Sequence, residues 1–273
     1  MSVELAFDRI DGPGGERTIA FVHGILGRGS NLRTIARRFV EARPQWTAWL
    51  VDMRGHGRSP KGTPSPSLEA AARDVVNMSA RATSPFHAIV GHSFGGKVAL
   101  EAARIGAMAS LEHVVVIDSF PGIREPLPEH DSALAIIEKI KSLPTGLASK
   151  SDFIDALVAV GITRTVAQWL AQSVEKDGDY VRFVPDLEEI RALILDYFAR
   201  DLWPVVERPP GLVSVHLVIG DRSNAYSFAD RERAARIAAS TERVTVDVLP
   251  AGHWVHVDDP DGLLRTLFDR VSP

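Results

Sequence analysis

Regular patterning along the chain begins with TIAFVHG (residues 18–24), apolar almost throughout and closed by glycine. That pattern predicts a short strand covered on both faces. In NLRTIARRFVEA, Leu32, Ile35, Ala36 and Phe39 recur at helical spacing and share one face. WTAWLVDMRGHG (residues 46–57) reads as a strand running into a glycine-rich loop, and the turn-rich SPKGTPSPS follows. Ser67 stands where an N-cap belongs, ahead of the helical LEAAARDVVNMSAR. FHAIVGHS then reads as strand, GGKVALEAARIG as a helix stopped by Gly106, and LEHVVVIDS as strand. Strands that are apolar throughout and alternate with helices predict a parallel sheet with helices on both faces.

The rhythm breaks after Asp118. Residues 124–207 are mostly helical in pattern: SALAIIEKIKSL, SDFIDALVAVG, RTVAQWLAQSVEKDG and DLEEIRALILDYFARDLW, with YVRFV as the one short strand. ERPPG closes this block. The strand–helix rhythm then resumes with LVSVHLVIGD, FADRERAARIAAST, RVTVDVLP, the loop AGHWVHVDDP and the final helix DGLLRTLFDRV. The expectation is an α/β core made of residues 1–123 and 208–273, interrupted by a helical insert at 124–207.

Composition narrows the function classes. Lys plus Arg is 31 against 35 Asp plus Glu, a net charge of -4, which gives no electrostatic case for a nucleic-acid partner. The chain has no cysteine, so disulfides, cysteine-held zinc and a thiol nucleophile are excluded. The opening MSVELAFDRIDGPGG is acidic where a signal peptide is basic, and no apolar run approaches the roughly 18 residues of a membrane span. A cytoplasmic protein with no membrane span, monomeric or homodimeric, is expected.

Candidate chemistry centres on IVGHSFGGKVAL (residues 89–100). It matches two motifs at once. G-x-x-x-x-G-K from Gly91 to Lys97 is nearly a phosphate-binding loop, but Val98 follows the lysine, where a hydroxyl is needed to hold Mg²⁺. G-x-S-x-G from Gly91 to Gly95 is a nucleophile elbow, in which small residues two before and two after Ser93 relieve a sharp strand-to-helix turn. The elbow lifts the Ser93 hydroxyl clear of the sheet and leaves the Phe94 N–H at a helix N-terminus, where negative charge is favoured. The turn VHGILG (residues 22–27) can set a second N–H, from Ile25, opposite it, making an oxyanion hole. AGHWVHVDDP supplies a histidine, on a loop between the last strand and last helix, as general base.

These segments carry a resemblance. HGILG, DMRGHGRS, GHSFGGK and AGHWVHVDDP occur in the order and at the spacing of the α/β-hydrolase fold family, and the match spans essentially the whole chain. GHSFGGK with GHWVHVDDP more closely resembles bacterial esterases of the YbfF type and the related abhydrolase-domain-11 proteins. The resemblance implies a helical cap over residues 124–207. It also implies that the base directly follows Gly252, which favours His253 over its rival His256. His23 and His92 then shape the oxyanion and elbow turns, and His56 the RGHG turn. His87, His113, His130 and His216 lie in no motif.

The third member of a triad orients the imidazole. In most of the family it follows the strand after the cap, in a pattern like G-x-x-D. Here Ser223 stands three residues after Gly220, and Asp221 comes two positions early. Asp118, ending VVVID, is the other candidate, because YbfF-like esterases carry a similar IDxxP segment. Asp118 is the preferred acid and Asp221 the alternative.

The reaction expected is hydrolysis of a small-molecule carboxylic ester through an acyl-enzyme on Ser93, with no cofactor and no metal. Phe120, Trp254 and Leu26 are candidate substrate contacts. Ile123, Phe153, Leu157, Trp169, Phe198 and Trp203 are either further apolar walls or packing within the insert. A thioesterase, a C–C bond hydrolase and a non-catalytic ligand-binding protein are alternatives on the same fold.

Overall fold

The structure, a computed structural model, describes residues 2–62, 66–125 and 133–271. The strands are β1 (Phe7–Ile10), β2 (Arg17–Val22), β3 (Trp46–Val51), β4 (Phe86–His92), β5 (His113–Ile117), β6 (Val174–Asp177), β7 (Tyr180–Phe183), β8 (Ser214–Gly220) and β9 (Val244–Leu249). Among the described residues, seven of them form one sheet in the order β1-β3-β2-β4-β5-β8-β9. All neighbours in it pair parallel except β1, which runs antiparallel to β3.

Helices α1 (Arg33–Ala42), α2 (Leu68–Arg81) and α3 (Phe94–Ile105) connect the first strands. Leu32, Ile35, Ala36 and Phe39 are all buried, as their spacing requires. Ser67 caps α2 by accepting the Ala70 N–H at 3.1 Å, and Gly106 ends α3 at φ 71. Between β5 and β8 come α4 (Ala133–Lys141), α5 (Lys150–Ala159), α6 (Arg164–Leu170), the β6–β7 hairpin, α7 (Leu187–Ala199) and α8 (Trp203–Glu207). The chain closes with α9 (Phe228–Ser240), α10 (Val255–Asp258) and α11 (Pro260–Arg270).

The strand period of two divides the core. Ile19, Phe21, Val90, Val115 and Ile117 pack on one face with residues of α1 and α11. Ala20, Val22, Ile89, Val114 and Val116 pack on the other with α2, α3 and much of the insert. From β2 the chain moves outward to β3, then returns to β4 on the other side of β2. The C-terminal ends of β2 and β4 therefore flank a topological switch point, where open parallel sheets hold ligands.

The pattern reading misses four features. RTVAQWLAQSVEKDG is not one helix: α6 stops at Leu170, a 3-10 turn spans Ala171–Ser173, and VEKD is β6. The Asp177-Gly178 pair is a hairpin signal, and Gly178 holds φ 64 in the turn that pairs β6 with YVRF. DLEEIRALILDYFARDLW is likewise broken, with α7 ending at Ala199 and Trp203 opening α8. VHVD, inside the expected loop AGHWVHVDDP, is the short helix α10. β1 is a four-residue edge strand whose burial is partial, so its apolar pattern is weak.

Candidate active site

Three loops converge at the strand ends. Among the described residues, only Leu26, Ser93 and Asp118 hold positive φ without being glycine, at 63°, 52° and 45°. They follow β2, β4 and β5, which are adjacent in the sheet. Such angles cost about 1–2 kcal/mol for an L-residue and persist where the surroundings over-determine them.

At Ser93 the turn itself leaves no room. A Cβ on Gly91 would lie 2.1 Å from the Gly95 carbonyl oxygen, and one on Gly95 would lie 2.3 Å from the Val22 carbonyl oxygen. Both glycines of G-x-S-x-G are therefore demanded by backbone contact. Phe94 opens α3, so its N–H has no acceptor within the helix. Gly24 packs against the same turn: a Cβ there would stand 3.3 Å from that of Ser93.

The loop after β2 is fastened by two histidines. The His23 Nδ1–H donates to the Gly24 carbonyl at 2.7 Å, and its Nε2 accepts the Met53 N–H at 3.0 Å. The His56 Nδ1–H donates to the Arg54 carbonyl at 2.8 Å, and its Nε2 accepts the Leu26 N–H at 3.1 Å. Burial lowers the pKa of both, that of His56 to about 3, which keeps them neutral with fixed tautomers. His56 thus reaches beyond its own RGHG turn to hold Leu26. Asp52 ties the same region by accepting the Gly29 N–H at 2.7 Å and the Arg58 N–H at 3.0 Å.

His253 and Asp118 meet directly. His253 Nδ1 is 2.7 Å from Asp118 Oδ2, with the carboxylate fully buried and the ring partly exposed. The same oxygen accepts the Ser223 hydroxyl at 2.5 Å, and Oδ1 accepts the Gly220 N–H at 3.1 Å. Ser223 Oγ in turn accepts the Ala225 N–H at 3.1 Å, which leaves its single proton for Asp118. Asp221 is elsewhere: about half exposed, it faces the Arg222 guanidinium at 3.7 Å. His256 packs beside His92, with ring centroids 4.8 Å apart, and its pKa falls to about 4 through burial. The His92 Nε2–H donates to the His253 carbonyl at 2.8 Å, so the elbow braces the histidine loop.

Ser93, His253 and Asp118 line one cavity of about 570 Å³, within the range of small-ligand sites. Ile25, Leu26, Phe120 and Trp254 line it too, as do Trp169 and Phe198 from the insert. Ile123, Phe153, Leu157 and Trp203 do not line it. Ile123 is exposed, and the other three are buried in the packing of the insert against the core. Helical patterning marks such residues as apolar without saying which side of a helix faces the cavity. Lys97, the lysine of the phosphate-loop pattern, is buried and donates to the Gly122 and Tyr197 carbonyls at 2.7 and 2.6 Å. Both its bonds go to backbone, which removes it from any role on a phosphate. His113 and His216 pair with each other at 3.2 Å at the far ends of β5 and β8, His87 accepts the Thr18 N–H, and His130 lies outside the described residues.

Among the residues of the site that pattern reading overlooked are Ser223, Tyr197 and Asn224, which line the cavity, and Asp52, which ties the loop after β2. Ser223 was visible only as the residue standing where an acid is usual. Asp52 sits in DMRGHGRS, and its partner Gly29 lies 23 residues away.

Comparison with known proteins agrees with this architecture. The alpha/beta hydrolase family pattern matches residues 19–266. The chain is similar to the sn-1-specific diacylglycerol lipase ABHD11 of Danio rerio, 25% identical over 99% of this chain and 83% of that protein. It is also similar to esterase YbfF of Escherichia coli K12, 28% identical over 91% of each. Among solved structures, a marine microorganism esterase superposes with a TM-score of 0.83 at 22% identity, covering 99% of this chain and 100% of that one. No helix among the described residues is long and apolar enough to cross a membrane. The chain, with its mostly parallel sheet and its elbow serine, belongs to the alpha/beta hydrolase family.

Proposed function

We propose that the chain is a serine hydrolase of carboxylic esters, with Ser93 as nucleophile, His253 as general base and Asp118 as the acid that orients it. One observation carries the reading: a serine held at φ 52 opens onto the same cavity as a histidine whose Nδ1 is 2.7 Å from a buried carboxylate. With its Nδ1–H donated in a hydrogen bond to Asp118, the neutral ring keeps its Nε2 lone pair for the Ser93 proton. As the Ser93 oxygen attacks the ester carbonyl, the proton passes to His253. The N–H groups of Ile25 and Phe94 hold the oxyanion. His253 then protonates the leaving alcohol, and water repeats the cycle on the acyl-enzyme.

The Ser223 hydroxyl and the Gly220 N–H hold the Asp118 carboxylate in place behind His253. Residues 124–207 act as a cap. Phe120, Trp254 and Leu26 contact the acyl chain together with Trp169 and Phe198 of the cap, and a cavity of about 570 Å³ suits acyl chains of small to medium length. The names of the relatives, an esterase and a lipase, support ester hydrolysis.

The test is turnover of p-nitrophenyl esters from acetate to decanoate, with matched thioesters and β-diketones alongside. Release of p-nitrophenol with an optimum at short or medium chain is expected. Ligand-induced thermal stabilisation with no turnover of any substrate would instead identify a binding protein.

A further inference from the structure

One short turn of the insert touches both loops that flank Ser93. α6 runs directly into the 3-10 turn Ala171–Ser173. Trp169, near the end of α6, packs edge-on against Trp254, the neighbour of His253, with ring centroids 4.6 Å apart. Gln172, three residues further on, reaches the other loop. Its backbone carbonyl accepts from the Arg28 guanidinium at 2.8 Å, and its side-chain carbonyl accepts from the Asn31 amide at 2.9 Å. Asn31 turns its own carbonyl oxygen back onto the Arg28 N–H at 2.7 Å. A single amide side chain therefore closes the loop and ties it to the insert.

That loop carries Ile25 and the strained Leu26. A left-handed leucine needs restraint from outside itself. The core supplies it through His56, which holds the Leu26 N–H. The insert supplies it through Gln172, at the loop's other end. We propose that Gln172 is a positioning residue: by holding Arg28 and Asn31, it fixes the loop so that the Ile25 N–H points at the reacting carbonyl, and docking of the insert completes the oxyanion site. The inference rests on the serine-hydrolase reading above. A donor to the oxyanion bonds more strongly in the transition state than in the ground state. Loosening it lowers kcat and leaves KM nearly unchanged. One net hydrogen bond corresponds to a loss of about fivefold.

The test measures kcat and KM for p-nitrophenyl butyrate, and the inhibition constant of a propyl trifluoromethyl ketone, whose adduct on the serine places an oxyanion in the same site. The proteins are wild type, Gln172→Ala, Gln172→Glu and Asn31→Ala. Gln172 is exposed, so alanine there leaves the fold intact, which the thermal midpoint checks. Gln172→Ala is expected to lose about fivefold in kcat and the same factor in ketone affinity, with KM within about twofold. Asn31→Ala should lose at least as much. Gln172→Glu, which keeps an acceptor for Asn31, should recover most of the loss. Unchanged kcat and ketone affinity in Gln172→Ala would overturn the proposal, as would a rise in KM alone or a lower thermal midpoint alone. A wild type that neither hydrolyses the ester nor binds the ketone would overturn the hydrolase reading and this inference together, and is told apart by that signature.

Discussion

Ser93 and Asp118 end neighbouring parallel strands, and both hold positive φ, yet their settings are opposite. Ser93 is partly exposed and opens onto the cavity, in a turn that needs Gly91 against its own backbone and Gly95 against the end of β2. Asp118 is buried, and the groups that hold its carboxylate lie more than a hundred residues away, at Gly220, Ser223 and His253. The same backbone strain projects one group into the cavity and sinks the other behind His253. The first arrangement is imposed by backbone sterics within the turn and against β2, the second by the register of β5 beside β8.

Exchanging the acid tests that contrast most severely. Asp118→Asn removes the charge behind His253 and favours the wrong tautomer, so turnover of a p-nitrophenyl ester should fall by about 10⁴. Asp221→Asn, at an exposed carboxylate, should stay within about twofold. The reverse ranking would move the acid to the β8 loop.

A second comparison concerns stability. Gly91→Ala drives a Cβ into backbone 2.1 Å away, and denaturant unfolding should record a loss of about 3 kcal/mol or more. Gly106→Ala, at φ 71 with nothing nearer than 3.9 Å, should lose about 1 kcal/mol. Equal losses would mean that the elbow is not sterically forced.

A pH-dependent effect concerns the third strained residue, Leu26, held by neutral His56. Its folded pKa of about 3 lies below the ordinary value of 6.5. As pH falls through 6.5, the unfolded chain takes up a proton that the folded chain refuses, so stability falls until about pH 3. This one group adds a slope of about 1.4 kcal/mol per pH unit in that window. His56→Gln should flatten the acid limb of a stability-versus-pH curve by up to that amount, and an unchanged limb would place the acid sensitivity elsewhere.

Legibility in the sequence follows the same division. The parallel strands, the elbow, the Ser67 cap and the Gly106 stop are local patterns, and each was readable. The place of Ser93 at the turn was readable because its flanking glycines are a steric necessity. His253 was favoured over His256 by a motif, and its bond to Asp118 needs a fold to bring residues 135 apart together. Asp118 and Asp221 could not be separated by pattern alone, since both follow apolar strands. The β6–β7 hairpin was hidden because VEKDG continues an apparently helical stretch, and only the Asp-Gly pair signals the turn. Which insert residues face the cavity was not readable, because Trp169 and Trp203 carry the same apolar signal and differ only in what packs around them.

The central claim is that Ser93 is an activated nucleophile. Intact mass after treatment with a fluorophosphonate tests it directly. A single adduct on the wild type, absent from Ser93→Ala, is the predicted result. A folded wild type that takes no adduct, or one modified equally after the substitution, would contradict it.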